Sequence, residues 1–372
     1  MEKIPGSVES IDGIPATMKA VVARGPNDYR LEELPVPECG PEDILIKVEA
    51  AGICGSDIKA WHGSPYIWGG AGRGQYIQPP VIAGHEFYGK IIALGSVAAE
   101  KHKVKMGDYV VPEQIVPCGV CRLCQTGMYH ICQQHDIFGF IKERAEGGMA
   151  EYAKLPIKSR VHKFPAGFDM SVAAYIEPLG CAIHAVEQGD VQFDDVVVVA
   201  GLGPVGLGML QGCVLKNAKE VVAVDFQEMR LDMAREFGAT RCINPGKVDI
   251  EEEIMKLTDG YGCDVYIHAS GNPKGVLQGL RIIRKGGRYV EYSVFSEEVS
   301  ADWSMIGDGK EIEIRGGHLS PMGSYTSAIR FLHSGKMKAD KLITHRLPLD
   351  QWLDGFKLVE KGTESMKVLL IP

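Results

Sequence analysis

Between residues 18 and 160 the apolar positions alternate or gather in short β-branched runs, MKAVVARG, DILIKVEA and FYGKIIALG, separated by Pro and Gly turns. That pattern predicts a β-rich half built as a barrel or sandwich. After about Glu177 the rhythm changes. VVVVA, KEVVAVD, CDVYIHA and GRYVEY are short continuous apolar runs with helix-spaced stretches between them, which predicts alternating strands and helices around a parallel sheet. In FQEMRLDMAREFG, Met229, Met233, Ala234 and Phe237 fall at helical spacing and Gly238 is the expected stop. Glu251, Glu252 and Glu253 open another predicted helix, where negative charge suits the helix dipole. From about Glu311 the alternation fades into SYTSAIRFLHSG, DQWLDGFKLVEKG and MKVLLIP, read as a return to the first domain.

A chain of 372 residues exceeds what one hydrophobic core usually organises, so two domains are expected. With 45% hydrophobic and 24% charged residues the chain is globular rather than disordered. A net charge of -8 offers no basic footprint for nucleic acid. The opening residues lack the apolar stretch of a secretory signal, so a cytoplasmic protein is expected. Residues 196–215 are apolar enough to resemble a membrane span, but their Gly-Pro interruption fits a buried strand, turn and helix better.

Gly201, Gly203, Pro204, Val205 and Gly206 lie in GLGPVG, between a continuous apolar strand and an apolar helix. In that context Gly201 permits the tight turn, Gly203 lets backbone approach a pyrophosphate, and Gly206 lets helix and strand pack closely. Asp225 ends the next strand, where a carboxylate accepts ribose hydroxyls and repels a 2'-phosphate. NAD is therefore favoured over NADP. Arg230 could face a 2'-phosphate, flank the adenosine or meet solvent.

Four of the ten cysteines, Cys118, Cys121, Cys124 and Cys132, crowd into one short segment. They can surround one tetrahedral ion with no open position, which predicts structural zinc; an iron-sulfur cluster is the alternative. Cys54, His85 and Glu86 supply a sulfur, an imidazole nitrogen and a carboxylate, a mixture suited to catalytic zinc with an exchangeable position.

GHEFYGKIIALGSVA, the Cys118 cluster and GLGPVG together resemble the zinc-containing medium-chain alcohol and polyol dehydrogenases. The resemblance covers nearly the whole chain. It implies an α/β protein: a flexible tail at 1–17, a GroES-like catalytic domain at 18–180, a Rossmann NAD-binding domain at 181–310 and a C-terminal return at 311–372. It carries Cys54, His85 and Glu86 onto the catalytic zinc of the sorbitol dehydrogenase branch. Glu177 in IEPLG is then the acid near that zinc, directly or through water. Val205, Asp225, Arg230 and the segment Ser293, Val294, Phe295 are carried onto the NAD site. EQIVPCGVC, HDIFGF, YVEYSVF, DWSMI and GGHL look like the erythritol/L-threitol dehydrogenases, the tetritol-oxidising branch.

The implied activity is NAD-dependent oxidation of a polyol secondary alcohol to a ketose, with the hydroxyl proton leaving through Ser56 and with two zinc ions per chain. Many relatives carry a histidine three residues after that serine; Lys59 stands there instead, so the proton path beyond Ser56 departs from the family pattern. Trp61, Tyr66 and Trp68 could wall a substrate pocket or simply anchor a loop. L-Threonine 3-dehydrogenase and sorbitol or L-iditol dehydrogenase are the enzyme alternatives, and a non-catalytic dinucleotide sensor is the alternative of another class. The family further implies a homotetramer with a small-molecule substrate.

Overall fold

The computed structural model describes residues 6–70, 72–295 and 297–372. The chain divides into two units: one takes the residues through Glu177 together with Pro321–His333 and Ala339–Pro372, the other Pro178–Ser320 and Ser334–Lys338.

The first unit is β-rich. Its largest sheet among the described residues runs Val161–Lys163, Tyr109–Pro112, Glu86–Gly95, Ile44–Gly52, Lys367–Ile371, Ile343–Pro348, with Val8–Ser10 and Tyr152–Leu155 attached at its side. Thr17–Gly25, Asp28–Pro35 and Val81–Ile82 form a smaller sheet. In Thr17–Gly25 the first residues alternate exposed and buried, whereas Glu86–Gly95 is buried almost throughout, as expected of a strand at the centre of a sheet. The last strand of the chain pairs antiparallel with Ile44–Gly52, Leu369 facing Gly52.

Part of the expected tail is ordered. Residues 1–5 lie outside the described residues, but Val8–Ser10 pairs with Glu86–Gly95, Val8 opposite Gly95. Three residues too short to show a period carry no strand signal in the sequence, and here the partner strand supplies the hydrogen bonds.

The second unit holds a six-stranded sheet ordered Arg241–Ile243, Glu220–Val224, Val196–Ala200, Cys263–His268, Ile283–Glu291, Glu313–Gly316. All of its pairings are parallel. It extends beyond residue 310 because Glu313–Gly316 adds the sixth strand; its exposed, charged pattern hides it as an edge strand. Helix Glu228–Glu236 buries Leu231 and Ala234 rather than the two methionines, and Gly238 follows with φ +98. Asp249 caps helix Ile250–Leu257 by accepting the Glu251 and Glu252 N–H groups, which places the three glutamates at the positive end of the dipole. Residues 196–200 and 204–215 are strand and helix, and among the described residues no helix is long and apolar enough to cross a membrane.

Candidate metal centres and dinucleotide loop

Strand register assembles the first metal cluster. Gly52 pairs with Glu86 across two antiparallel strands, so Cys54, just past one strand end, and His85, just before the other strand, emerge together. One donor atom each from Cys54, His85 and Glu86 lies within 4.8 Å of the others. Gly52 leaves the carboxylate its place, because a Cβ there would stand 2.2 Å from Glu86 Oε2 and push it aside.

Two residues absent from the sequence reading hold this cluster. Asp57 is buried, and its Oδ2 accepts the Cys54 N–H at 2.8 Å in a capping box at helix Gly55–Trp61. Its Oδ1 lies 3.6 Å from His85 Nδ1, close enough to attract but too long for a hydrogen bond. A Cys followed three residues later by Asp at a helix start is a signal that could have found it. Lys367, 2% exposed, donates to Glu86 Oε2 at 2.5 Å and to the Ile53 carbonyl at 3.1 Å. Nothing local marks that lysine, which comes from the far end of the chain.

The electrostatics suit a cation. Burial works to lower the Lys367 pKa, but Glu86, then Cys54 and Glu177, outweigh it and hold the ammonium above its usual value. For His85 burial is again the largest effect and lowers the pKa, while the Asp57 and Cys54 charges raise it well above normal. Glu177 is buried on helix Ile176–Gln188 in the same unit. His85 Nδ1 is buried without a hydrogen-bond partner. An imidazole, a thiol and a carboxylate so placed fit zinc with three protein ligands and one exchangeable position. Ser56 is half-buried one turn before Lys59 on helix Gly55–Trp61. Burial lowers the Lys59 pKa, against an opposing pull from Cys54.

The nearby aromatics pack. Trp61 meets Tyr29, Trp352 and Phe356 at centroid distances of 5.3, 5.5 and 6.3 Å. Trp68 donates to the Ala60 carbonyl at 2.7 Å, and Arg73 lies over the Tyr66 ring at 3.5 Å.

Cys118, Cys121, Cys124 and Cys132 form the second cluster, with all four sulfurs within 4.8 Å of one another. The Cys118–Cys124 and Cys121–Cys132 sulfur pairs are each 3.9 Å apart. A tetrahedron with bonds of about 2.3 Å has edges of about 3.8 Å, so zinc fits. Backbone N–H groups of Cys118, Cys121 and Cys124 point at neighbouring sulfurs at 3.3, 3.3 and 3.5 Å. Hydrogen bonds from Gln133 and then Cys124 lower the Cys121 thiol to about 6, while burial raises Cys124 to about 12. All ten cysteines are free of disulfides. The lobe is anchored through Tyr129, whose hydroxyl donates to buried Glu113 at 3.0 Å, with His162 on the same carboxylate at 2.8 Å.

In the second unit, Gly201 has φ +97 and a Cβ there would meet the Ser270 nitrogen at 2.7 Å. A Cβ on Gly206 would stand 1.9 Å from the Gly201 carbonyl oxygen, whereas Gly203 faces open space. Helix Pro204–Leu215 starts with Pro and without a side-chain cap, leaving backbone N–H groups for an anion. Val205 is half-buried in its first turn. Asp225 is buried, and its carboxylate accepts the Leu202 N–H at 2.8 Å and the Gln227 N–H at 2.9 Å, with Arg230 at 3.5 Å. It thus shapes the glycine turn as well as presenting charge beside it. Ser293 and Phe295 are half-buried and Val294 is 52% exposed.

Both halves of the chain match known protein families. Residues 40–166 match the alcohol dehydrogenase GroES-like domain, and residues 204–334 the zinc-binding dehydrogenase domain. The chain is 46% identical to an erythritol/L-threitol dehydrogenase of Mycolicibacterium smegmatis, across 96% of this chain and 99% of that one. It is 34% identical to an L-threonine 3-dehydrogenase of Bacillus licheniformis, across 95% and 99%. A putative zinc-binding dehydrogenase from Sinorhizobium meliloti, solved bound to NADP, superposes with a TM-score of 0.86 at 29% identity, covering 96% of this chain and 100% of that one. With both domain matches in place and relatives alike over nearly its whole length, the chain belongs to the zinc-containing medium-chain alcohol and polyol dehydrogenases.

Proposed function

We propose that this dehydrogenase oxidises a secondary hydroxyl of a four-carbon polyol, erythritol or L-threitol, to the ketose erythrulose, with NAD as hydride acceptor and two zinc ions per chain. The observation that carries the reading is the convergence of Cys54, His85 and Glu86 within 4.8 Å. Zinc held there would supply Lewis acidity, lowering the pKa of an alcohol that is otherwise too weak an acid to ionise near neutrality. Ser56, beside Cys54 on the first turn of its helix, would relay the hydroxyl proton, accepting it while passing its own proton on to water. Asp57 steadies the Cys54 and His85 segments, and Glu177 adds negative charge to the same centre. Cys118, Cys121, Cys124 and Cys132 hold the second ion in a closed site that braces their lobe.

NAD is favoured because Asp225, fixed by the Leu202 and Gln227 N–H groups, keeps a carboxylate where a 2'-phosphate would have to sit. Arg230 Nη1 lies 3.5 Å from that carboxylate. The glycine turn, Val205, Ser293, Val294 and Phe295 complete the dinucleotide site. The working form is a cytoplasmic homotetramer, which gel filtration and sedimentation test.

The identity to a threonine dehydrogenase supports a second reading, oxidation of L-threonine on the same machinery. Erythritol, L-threitol, sorbitol and L-threonine, each offered with NAD and with NADP and followed by the absorbance of the reduced cofactor, separate the two. A tetritol should be best, with NAD; L-threonine as the sole good substrate overturns the polyol reading.

A further inference from the structure

Strands Cys263–His268 and Ile283–Glu291 end together, with His268 opposite Glu291 in the parallel register. Ligands of open parallel sheets bind at the carboxyl ends of the strands, and here those ends are tied by side chains as well as backbone. His268 is fully buried; its Nδ1 lies 2.9 Å from Glu291 Oε2 and its Nε2 lies 2.7 Å from Ser270 Oγ. Glu291 also accepts the Ser293 N–H at 2.8 Å and the Tyr289 hydroxyl at 3.2 Å. The Ser293 hydroxyl donates to the His268 carbonyl at 3.2 Å.

The donors and acceptors sort without conflict. A carboxylate can only accept, so Nδ1 donates to Glu291 while Nε2 pairs with the Ser270 hydroxyl. The Ser270 oxygen in turn accepts the Asn272 N–H at 3.2 Å. Phe295 stacks on the same imidazole at 5.6 Å, and Tyr266 lies nearly parallel to it at 6.3 Å. Ser270 also abuts the first glycine of the dinucleotide turn. One buried histidine therefore contacts the segment beside the glycine turn and the segment Ser293–Phe295.

We propose that His268 and Glu291 are positioning residues that fix Ser270 and the Ser293–Phe295 segment relative to each other, and so set how tightly the nicotinamide half of the cofactor is held. The proposal rests on the reading of Ser293–Phe295 as cofactor-binding. His268 is the buried centre of this network, with Glu291 partly exposed and Ser270 at the surface; hydrogen bonds to a buried centre restrict the segments that carry them, and a loop held in its binding conformation does not have to be ordered by the ligand. The adenosine half depends instead on Asp225 and on the glycine turn, which Ser270 approaches with its backbone nitrogen and Cα rather than with the hydroxyl that His268 holds.

The test uses zinc-loaded full-length protein carrying Glu291→Ala, His268→Phe, which keeps a ring for Phe295 to stack on, or Glu291→Gln, whose amide oxygen in the Oε1 position can still accept from Ser293 and from His268, 2.8 and 3.1 Å away. NADH and ADP affinities are measured by fluorescence and calorimetric titration, with kcat, KM for NAD, zinc content and Tm alongside. Glu291→Ala and His268→Phe should weaken NADH binding and raise KM for NAD by about tenfold, the loss expected for hydrogen bonds to a charged group. ADP affinity, zinc content and the Glu291→Gln variant should stay close to wild type. Unchanged NADH affinity in both disruptive variants overturns the proposal alone, as does an equal loss of NADH and ADP, which marks general damage to the sheet. A wild-type chain that fails to bind NADH overturns the dinucleotide reading and this proposal with it.

Discussion

Lys367 Nζ and Glu86 Oε2 lie 2.5 Å apart, 281 residues distant in sequence and buried together. Breaking such a pair leaves an uncompensated buried charge, typically costing about 3–5 kcal/mol. Lys367→Met should therefore lower stability by that order when metal is chelated. Zinc held by Cys54, His85 and Glu86 would give the Glu86 carboxylate a second cationic partner, so the loss should be smaller in zinc-loaded protein. Denaturation of both forms with and without chelator measures the difference; equal losses would show that Glu86 does not turn to the metal.

Gly52→Ala places a methyl 2.2 Å from the Glu86 carboxylate. The carboxylate must move, and the expected outcome is loss of one zinc equivalent and of dehydrogenase activity while the four-cysteine lobe keeps its ion. Metal analysis beside turnover checks this.

The two clusters should respond oppositely to loss of a thiol. Cys54→Ser removes a ligand from an open site, so activity should collapse with Tm within a few degrees of wild type. Cys118→Ser opens a closed site whose metal binding is folding energy, so Tm should drop and the lobe around Tyr129 become protease-sensitive.

His102 predicts a pH dependence. Burial, then the Lys101 charge, lowers its pKa from 6.5 to about 4. Between those values the unfolded chain binds a proton that the folded chain refuses, so stability is complete above 6.5 and is lost as pH falls through the window to about 4. Discounted for partial exposure, the loss is about 1–2 kcal/mol. Urea midpoints taken above and below the window should show this decline in the wild type and less of it in His102→Leu.

Asp225→Ser should lower kcat/KM for NAD by about tenfold or more, since the carboxylate proposed to meet the ribose also anchors the turn through Leu202 and Gln227. The ratio of NADP to NAD turnover should rise. Steady-state kinetics with both cofactors reads it.

What the amino-acid order determined by itself was everything carried by neighbours in the chain. The four cysteines sit close enough to meet through their own loop, and GLGPVG lies between a strand and a helix whose periods are plain, so both were legible before any coordinates. The change from β-rich to alternating elements near Glu177 was legible for the same reason. Only the tertiary structure decided the rest. Pairing of Gly52 with Glu86 brings Cys54 to His85, and the last strand delivers Lys367 beneath them. His268 reads as an ordinary residue in an apolar strand until parallel register sets Glu291 beside it. Val8–Ser10 and Glu313–Gly316 are strands only because a neighbouring strand accepts them. Hydrogen bonds and ion pairs between residues far apart in the chain leave no period in it, since either partner alone is compatible with many surroundings; the register of the sheets selects which one it gets.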